Sequence, residues 1–280
     1  MKDNQLKRWQ EIELSISDLA FGGKGISKVD DLVFFIKDAI PGQIVNAKIS
    51  KIKKNYIEAY NIQTIKKSSD QVEPLCEHFD WCGGCTTQQL DYKKQLDYKQ
   101  KQIYDILNRI GKAEDLKINT IIGCDKIFNY RNKMEYTFSG VPWYIGDESY
   151  DDIIIGLHVP KRFDKILSIN KCHINHDIFN DILAISKKVS VKENMIPYNV
   201  RKHKGFLRFL VIKIGVHTNE VMVNLVTAGY KPDIIKPLVN ALRDKIPSIK
   251  SIVNTINTRK SNIASGTSKL IYGREYINEK

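Results

Sequence analysis

No stretch of this 280-residue chain approaches the roughly 18 uninterrupted apolar residues of a membrane-spanning helix, which sets aside an integral helical membrane protein. Its opening, MKDNQLKRWQE, is polar and mixed in charge, unlike a secretory leader. No internal repeat or low-complexity linker is visible, so the length divides into ordinary domains, and 42% hydrophobic residues suffice to give two of them a core. Cysteine is scarce, at five. The reading is a cytoplasmic monomer with no membrane partner, in which clustered thiols bind a metal or a cluster rather than form disulfides. Acidic residues are in deficit as well: 32 Asp and Glu face 44 Lys and Arg, for a formal charge of +12 and a pI near 9.3. A polyanion is the natural partner for that surplus, although charge alone also suits a basic soluble protein of another kind.

From Ile12 to Ile65 short β-like runs alternate with turn signals: EIELSISDLA, GGKG, DLVFFIKDAI, PGQ, IVNAKISKIK and NYIEAYNIQTI. The pattern predicts four or five short strands with no room for crossover helices, hence a small closed β-barrel of the OB type. Gly22, Gly23 and Gly25 permit the bends such a barrel needs. Lys48, Lys51, Lys53 and Lys54 lie on or beside one strand and its turn, near Tyr56 and Tyr60. Lysines beside aromatics are how OB-like folds hold nucleic acid, and the same lysines equally serve to protect an edge strand from aggregation.

The run DLAFGGKGISKVDDLVFFIKDAIPGQIVNAKISKIKKNYIEAYNI resembles a TRAM domain along nearly its whole length, including Gly23, Gly25, Phe35, Pro41 and Gly42. TRAM domains are RNA-binding modules at the front of many RNA-modifying enzymes. The resemblance implies a TRAM barrel over residues 1–66 and a second, cysteine-bearing domain over 67–280.

Within PLCEHFDWCGGCTTQQL, Cys76, Cys82 and Cys85 form C-x5-C-x2-C. Gly83 and Gly84 let the loop wrap its amides toward bound sulfur without an intruding side chain. Cys172 in INKCHIN is the better candidate for a fourth ligand, since the apolar flank of Cys124 in IIGCDK suits a small buried hydrophobe. Tetrahedral zinc is the rival, with His78, His173 and His176 able to replace a thiolate, but the first cysteine pair is wider than a zinc-ribbon knuckle. C-x5-C-x2-C after a TRAM-like stretch, with one further Cys much later, resembles the iron–sulfur, ribosomal RNA branch of the RNA 5-methyluridine methyltransferases, over roughly residues 10 to 277. That resemblance implies a structural, RNA-adjacent 4Fe-4S cluster on Cys76, Cys82, Cys85 and Cys172.

The remainder predicts a helix from Gln88 to Ile110, stopped by Gly111, and then strands in YRNKMEYTFSG, IIIGLHV, FLRFLVIKIGV and EVMVNLVTAG. The last two make a hairpin around His217, Thr218 and Asn219, and a helix over Asp233–Lys245 leads to the strand-like IKSIVNTIN. The expected second domain is mixed α+β with a largely antiparallel sheet. In YRNKMEY, Arg131 and Lys133 share a strand face with Glu135, positioned either for phosphates or for pairing with that carboxylate. This stretch resembles the family's YRNK segment. LHVPKRFDKILSINKCHI resembles its run to the fourth Cys, and LRFLVIKIGVHTNEVMVNLVT its hairpin, in which Lys161, Arg162 and Arg208 stand out as RNA contacts.

Missing too is a Gly-rich turn that follows a buried strand and opens a helix, the usual seat of S-adenosylmethionine; neither AFGGKG nor GTSKLIYG has that setting. Uracil-5 methylation also needs a nucleophilic Cys and a base, and none of the five cysteines sits in the family's catalytic motif. The expectation is therefore that a C-terminal doubly wound methyltransferase domain is missing. No catalytic residue is assigned, and S-adenosylmethionine belongs only to a full-length enzyme. The chain reads as the RNA-recognition and iron–sulfur portion of a 23S ribosomal RNA (uracil-5-)methyltransferase, binding ribosomal rather than transfer RNA without catalysing alone. The alternative is a stand-alone RNA-binding module with a structural zinc.

Overall fold

The computed structural model describes residues 6–113, 116–143 and 153–280. They form two compact units that interleave in sequence: residues up to Leu75 with 85–125, and residues 76–84 with 126–280.

The first unit contains β1 (Glu11–Ser15), β2 (Asp18–Leu19), β3 (Gly25–Val29), β4 (Leu32–Lys37), β5 (Ile44–Ile52) and β6 (Tyr56–Lys66) in one sheet, ordered β1-β5-β6-β4-β3-β2. Alternation decides which face is inside: Val45, Ala47 and Ile49 of β5 are buried, while Asn46, Lys48 and Ser50 point outward. The inward set joins Leu14, Ile16, Phe34, Ile36, Ile57 and Ala59 in a single core. β1 pairs with β5 and β2 with β3, so the bent segment Glu11–Leu19 supplies both ends of the ladder and closes the roll. Gly25 sits at that closure. A Cβ there would come within 2.8 Å of the Ile16 side chain and 2.9 Å of the Ala39 carbonyl oxygen.

Helix α1 (Tyr92–Asp105) begins four residues later than the apolar spacing suggests. Asp91 caps it by accepting from the amides of Lys93 and Lys94, and Leu90 instead packs with Leu19 and Ile40. One π-helical turn, Ile106–Ile110, continues α1 to Gly111. Gln102 donates to the Leu19 carbonyl at 2.8 Å, and Lys101 is ion-paired with Asp18, so α1 is tied to the β2 segment.

The second unit is built on β7 (Lys133–Ser139), β8 (Ile154–His158), β9 (Ile166–Ser168), β10 (Leu207–Gly215), β11 (Glu220–Thr227), β12 (Ile249–Ile256) and β13 (Thr267–Gly273). The sheet order is β13-β12-β11-β10-β7-β8-β9. Its neighbours are antiparallel except β11 and β12, which run parallel and are joined by the crossover helix α3 (Pro232–Lys245). Helix α2 (Asp177–Lys192), not singled out in the sequence, buries Phe179, Ile182, Leu183, Ser186 and Ser190 and packs against α3. Leu207 through Ile212 of β10 are all buried, so this strand is covered on both faces and its sequence reads as a nearly continuous apolar run.

Gly156 lies where β8 meets β9, opposite Ser168, and a Cβ built on it would fall 1.8 Å from the Leu167 carbonyl oxygen. Gly156→Ala must push β9 away. It is expected to destabilise the second unit by roughly 1–3 kcal/mol, read by thermal unfolding. An unchanged midpoint would show that β9 yields without cost.

Candidate cysteine centre and nucleic-acid interface

The loop carrying Cys76 and Cys82 is shaped by its own backbone. Phe79 donates to the Cys76 carbonyl at 3.1 Å, and the His78 carbonyl accepts from both Trp81 and Cys82, at 3.2 and 2.8 Å. The buried His78 ring accepts at Nε2 from the Asn170 amide at 3.2 Å, which pins the loop two residues before Cys172. Cys172 is buried, and Asn180 of α2 clasps its backbone, accepting from its amide at 2.9 Å and donating to its carbonyl at 3.3 Å. Gly83 sits where a Cβ would lie 3.1 Å from the His158 carbonyl oxygen, and the Gly84 amide donates to Cys82 Sγ at 3.3 Å.

Two of these sulfurs, those of Cys76 and Cys172, are close enough to interact electrostatically. Burial pushes the Cys76 thiol up, and the proximity of Cys172 adds to the rise. Burial likewise raises Tyr136, and the proximity of Cys172 and Cys82 adds to the rise. Cys85 is half-buried and belongs to the first unit. Cys124, expected as a buried hydrophobe, is exposed, with its amide on the Tyr92 hydroxyl. Among the described residues no group of three or more His, Cys, Asp or Glu side chains is arranged to hold a single metal ion. His173 meets Phe128 edge-on, and His176 lies beside Phe179.

The basic candidates separate by environment. Lys48 pairs with Glu11 at 3.5 Å and Lys51 approaches Glu58 at 4.0 Å, while Lys53 and Lys54 stand exposed in the β5–β6 turn. Tyr56 meets Phe35 edge-to-face on the outer side of that sheet, with centroids 5.6 Å apart. Lys133 forms a 2.5 Å ion pair with Glu135, and the exposed Arg131 donates from Nε to the Lys133 carbonyl. Lys161 and Arg162 are exposed in the loop after β8.

Arg208 is different, and its reading as an RNA contact is corrected here. It is 2% exposed, inside β10. Nη1 donates to the Asn257 and Arg259 carbonyls at 2.8 and 2.6 Å, and Nη2 to the Ser261 carbonyl at 2.6 Å. The guanidinium also lies 4.2 Å from the centroid of the Tyr198 ring. Such a group holds protein, with no face left for phosphate. From sequence it could not be told from a surface arginine, because its partners are main-chain carbonyls some 50 residues downstream.

Residues 5–60 match the TRAM domain family model. Over 95% of its length the chain is 35% identical to a protein of Halalkalibacterium halodurans named as an uncharacterized RNA methyltransferase, covering 56% of that protein. A similarly named protein of Caldanaerobacter subterraneus is 33% identical over 99% of the chain and 59% of its own length. One from Bacteroides thetaiotaomicron is 37% identical over 86% and 55%. The chain thus spans a little over half the length of these relatives. The fold matches a crystal structure of the Pyrococcus abyssi tRNA (uracil-54, C5)-methyltransferase in complex with S-adenosyl-L-homocysteine, with a TM-score of 0.69 at 24% identity, over 96% of this chain and 57% of that one.

Two sequence expectations are corrected by these matches. One is that a doubly wound methyltransferase domain is missing; the other is that the chain is a non-catalytic RNA-recognition portion, or a zinc-bearing RNA-binding module. The proteins it resembles over 86–99% of its length are named as RNA methyltransferases, and its fold follows a methyltransferase over 96% of its length. The first reading came from the absence of a Gly-rich turn and of a cysteine in the family's catalytic motif, and the zinc alternative from cysteine spacing; neither stands against these matches.

Because three carbonyls depend on one guanidinium, Arg208→Met is expected to cost at least about 2 kcal/mol of stability in denaturant unfolding, while leaving the salt dependence of RNA binding unchanged. A variant of wild-type stability with a shallower salt slope would return Arg208 to the RNA surface.

Proposed function

We propose that this chain belongs to an S-adenosylmethionine-dependent RNA methyltransferase acting on carbon 5 of uracil. Its TRAM barrel and exposed basic loops hold the RNA, and its cysteines carry a 4Fe-4S cluster. The observation that supports this best is the combination of a TRAM match at residues 5–60 with similarity to RNA methyltransferases along nearly all of the chain. Ribosomal RNA over transfer RNA is the finer reading. It rests on the joint presence of the TRAM-like stretch and the cysteine pattern, and competition between the two RNAs decides it.

Lys53, Lys54, Lys161 and Arg162, all exposed, are the residues suited to neutralise phosphates. Lys48, Lys51, Arg131 and Lys133 add positive potential near the same strands, though part of it is spent on Glu11, Glu58 and Glu135. The thiolates suited to a cluster are Cys76, Cys82 and Cys172, with Cys85 the fourth by its C-x2-C spacing. The donor set is soft, and the Gly84 amide already points at sulfur. When bound, such a cluster supplies a rigid tie between the 76–85 loop and the Cys172 segment. Among the described residues, the parallel crossover of the second unit does not fit the methyl donor. The parallel crossover between β11 and β12 opens α3 through Gly229, Tyr230, Lys231 and Pro232, with a single glycine, so no step through that donor is assigned to this chain.

Protein purified without air is expected to contain about four irons and four sulfides per chain. Cys172→Ser should lose iron and destabilise the second unit, and Cys124→Ser should keep it. Iron retained in Cys172→Ser, or zinc in place of iron in the wild type, refutes the cluster assignment. RNA binding should weaken steeply between low and physiological salt, and a flat response refutes the RNA surface.

A further inference from the structure

Away from the cysteines, the second unit holds a cavity of about 230 Å³ between the end of β7, the loop after β8 and the chain leading into β10. Its walls include Phe138, His158, Phe163, Tyr198, Asn199 and Arg201. This is below the roughly 300–1,000 Å³ of sites that swallow a drug-sized ligand. It has room for one planar ring, without the sugar and phosphate that would carry it.

Three features give the cavity a chemical character. Phe163 is 65% exposed at its mouth and Ile196 67%, an unusual amount of apolar surface to leave wet beside a cavity. Tyr198 is held in place from behind by the buried Arg208 guanidinium, so one aromatic wall is fixed before any ligand arrives. In addition, His158 Nδ1 is buried with no partner among the described residues, an unmet hydrogen bond in the wall.

The rim is basic. The loop with Phe163 also carries exposed Lys161 and Arg162, and the loop with Tyr198 and Asn199 continues through exposed Arg201, Lys202 and Lys204. A bridge between Asn199 and Lys204 makes that second loop a short finger. The carboxylate in the wall, Asp164, is 10% exposed and is answered by Arg201 at 2.6 Å. Arg201 in turn lies 5.7 Å from the Phe163 ring centroid. Aromatic walls sized for one ring under a cationic rim are the arrangement by which proteins take a base out of single-stranded RNA, stacking the base and neutralising the phosphates on either side.

We infer that this cavity captures a single unpaired nucleobase of the bound RNA, with Phe163 and Tyr198 as stacking surfaces and Lys161, Arg162, Lys202 and Lys204 on the flanking phosphates. The inference rests on the RNA-binding reading above. It locates a base-holding site that is distinct from the barrel lysines and from the cysteine centre.

The test uses the whole chain and a single-stranded oligouridine of about 12 nucleotides, inside the usual ~4–16 nucleotide site range, with one central 2-aminopurine as a fluorescent base. Wild-type protein should quench that base on binding. Phe163→Ala, at an exposed position where folding is not at risk, should relieve the quenching and weaken binding roughly 5- to 150-fold without changing the salt slope. Phe163→Trp should restore both, and Tyr198→Ala should behave as Phe163→Ala does. Wild-type affinity and quenching in Phe163→Ala, with RNA binding intact, overturns the pocket and leaves the RNA reading standing. Failure of the wild-type protein to bind the oligonucleotide at low salt overturns both.

Discussion

A guanidinium inside a strand that is buried on both faces constrains much of the second unit. Arg208 lies within the run Leu207–Ile212, where a cation without partners would be very costly. Its cost is offset by the carbonyls of Asn257, Arg259 and Ser261, and these can reach it only if the chain turns back sharply after β12. Asn257 makes that turn: its amide donates to Thr227, its Oδ1 accepts from the Arg259 amide, and its Nδ2 donates to the Ile263 carbonyl. One buried charge therefore orders the end of β12, the following turn and, through Tyr198, the wall of the base-sized cavity.

The same charge type serves opposite ends elsewhere. Of the surplus behind the +12 formal charge, some is spent locally: Lys48 on Glu11, Lys133 on Glu135, Arg274 on Glu220. Exposed pairs of this kind contribute little to stability, about 0–1 kcal/mol each. Among the exposed basic residues, a set lies on loops, Lys53 and Lys54 in the first unit, Lys161, Arg162, Lys202 and Lys204 in the second. Loops are where side chains reach a curved polyanion without reshaping the sheets beneath them.

The cysteine centre depends on packing of another kind. Cys76 and Cys82 come from a loop, Cys172 from the approach to α2, and two polar side chains hold the parts in place: His78 on the Asn170 amide and Asn180 on the backbone of Cys172. Burial raises the thiol of Cys76, which favours its protonated form.

Much of this was legible in the residues. Period-two alternation places Val45, Ala47 and Ile49 inside the barrel, the Gly22–Gly25 region marks its bend, and the spacing of Ile235, Leu238, Val239 and Leu242 marks the buried stripe of α3. Those signals are local, because side-chain direction follows backbone period within a few residues. The pattern Phe179, Ile182, Leu183, Ser186, Ser190 carried α2 as clearly and was obscured by its polar members, which are nonetheless buried. The nearness of Cys172 to Cys76, the inward turn of Arg208, the exposure of Cys124 and the cavity beside Phe163 were decided only by the tertiary structure. Each depends on which distant carbonyl, ring or strand arrives next to a residue, and no spacing along the chain encodes that arrival.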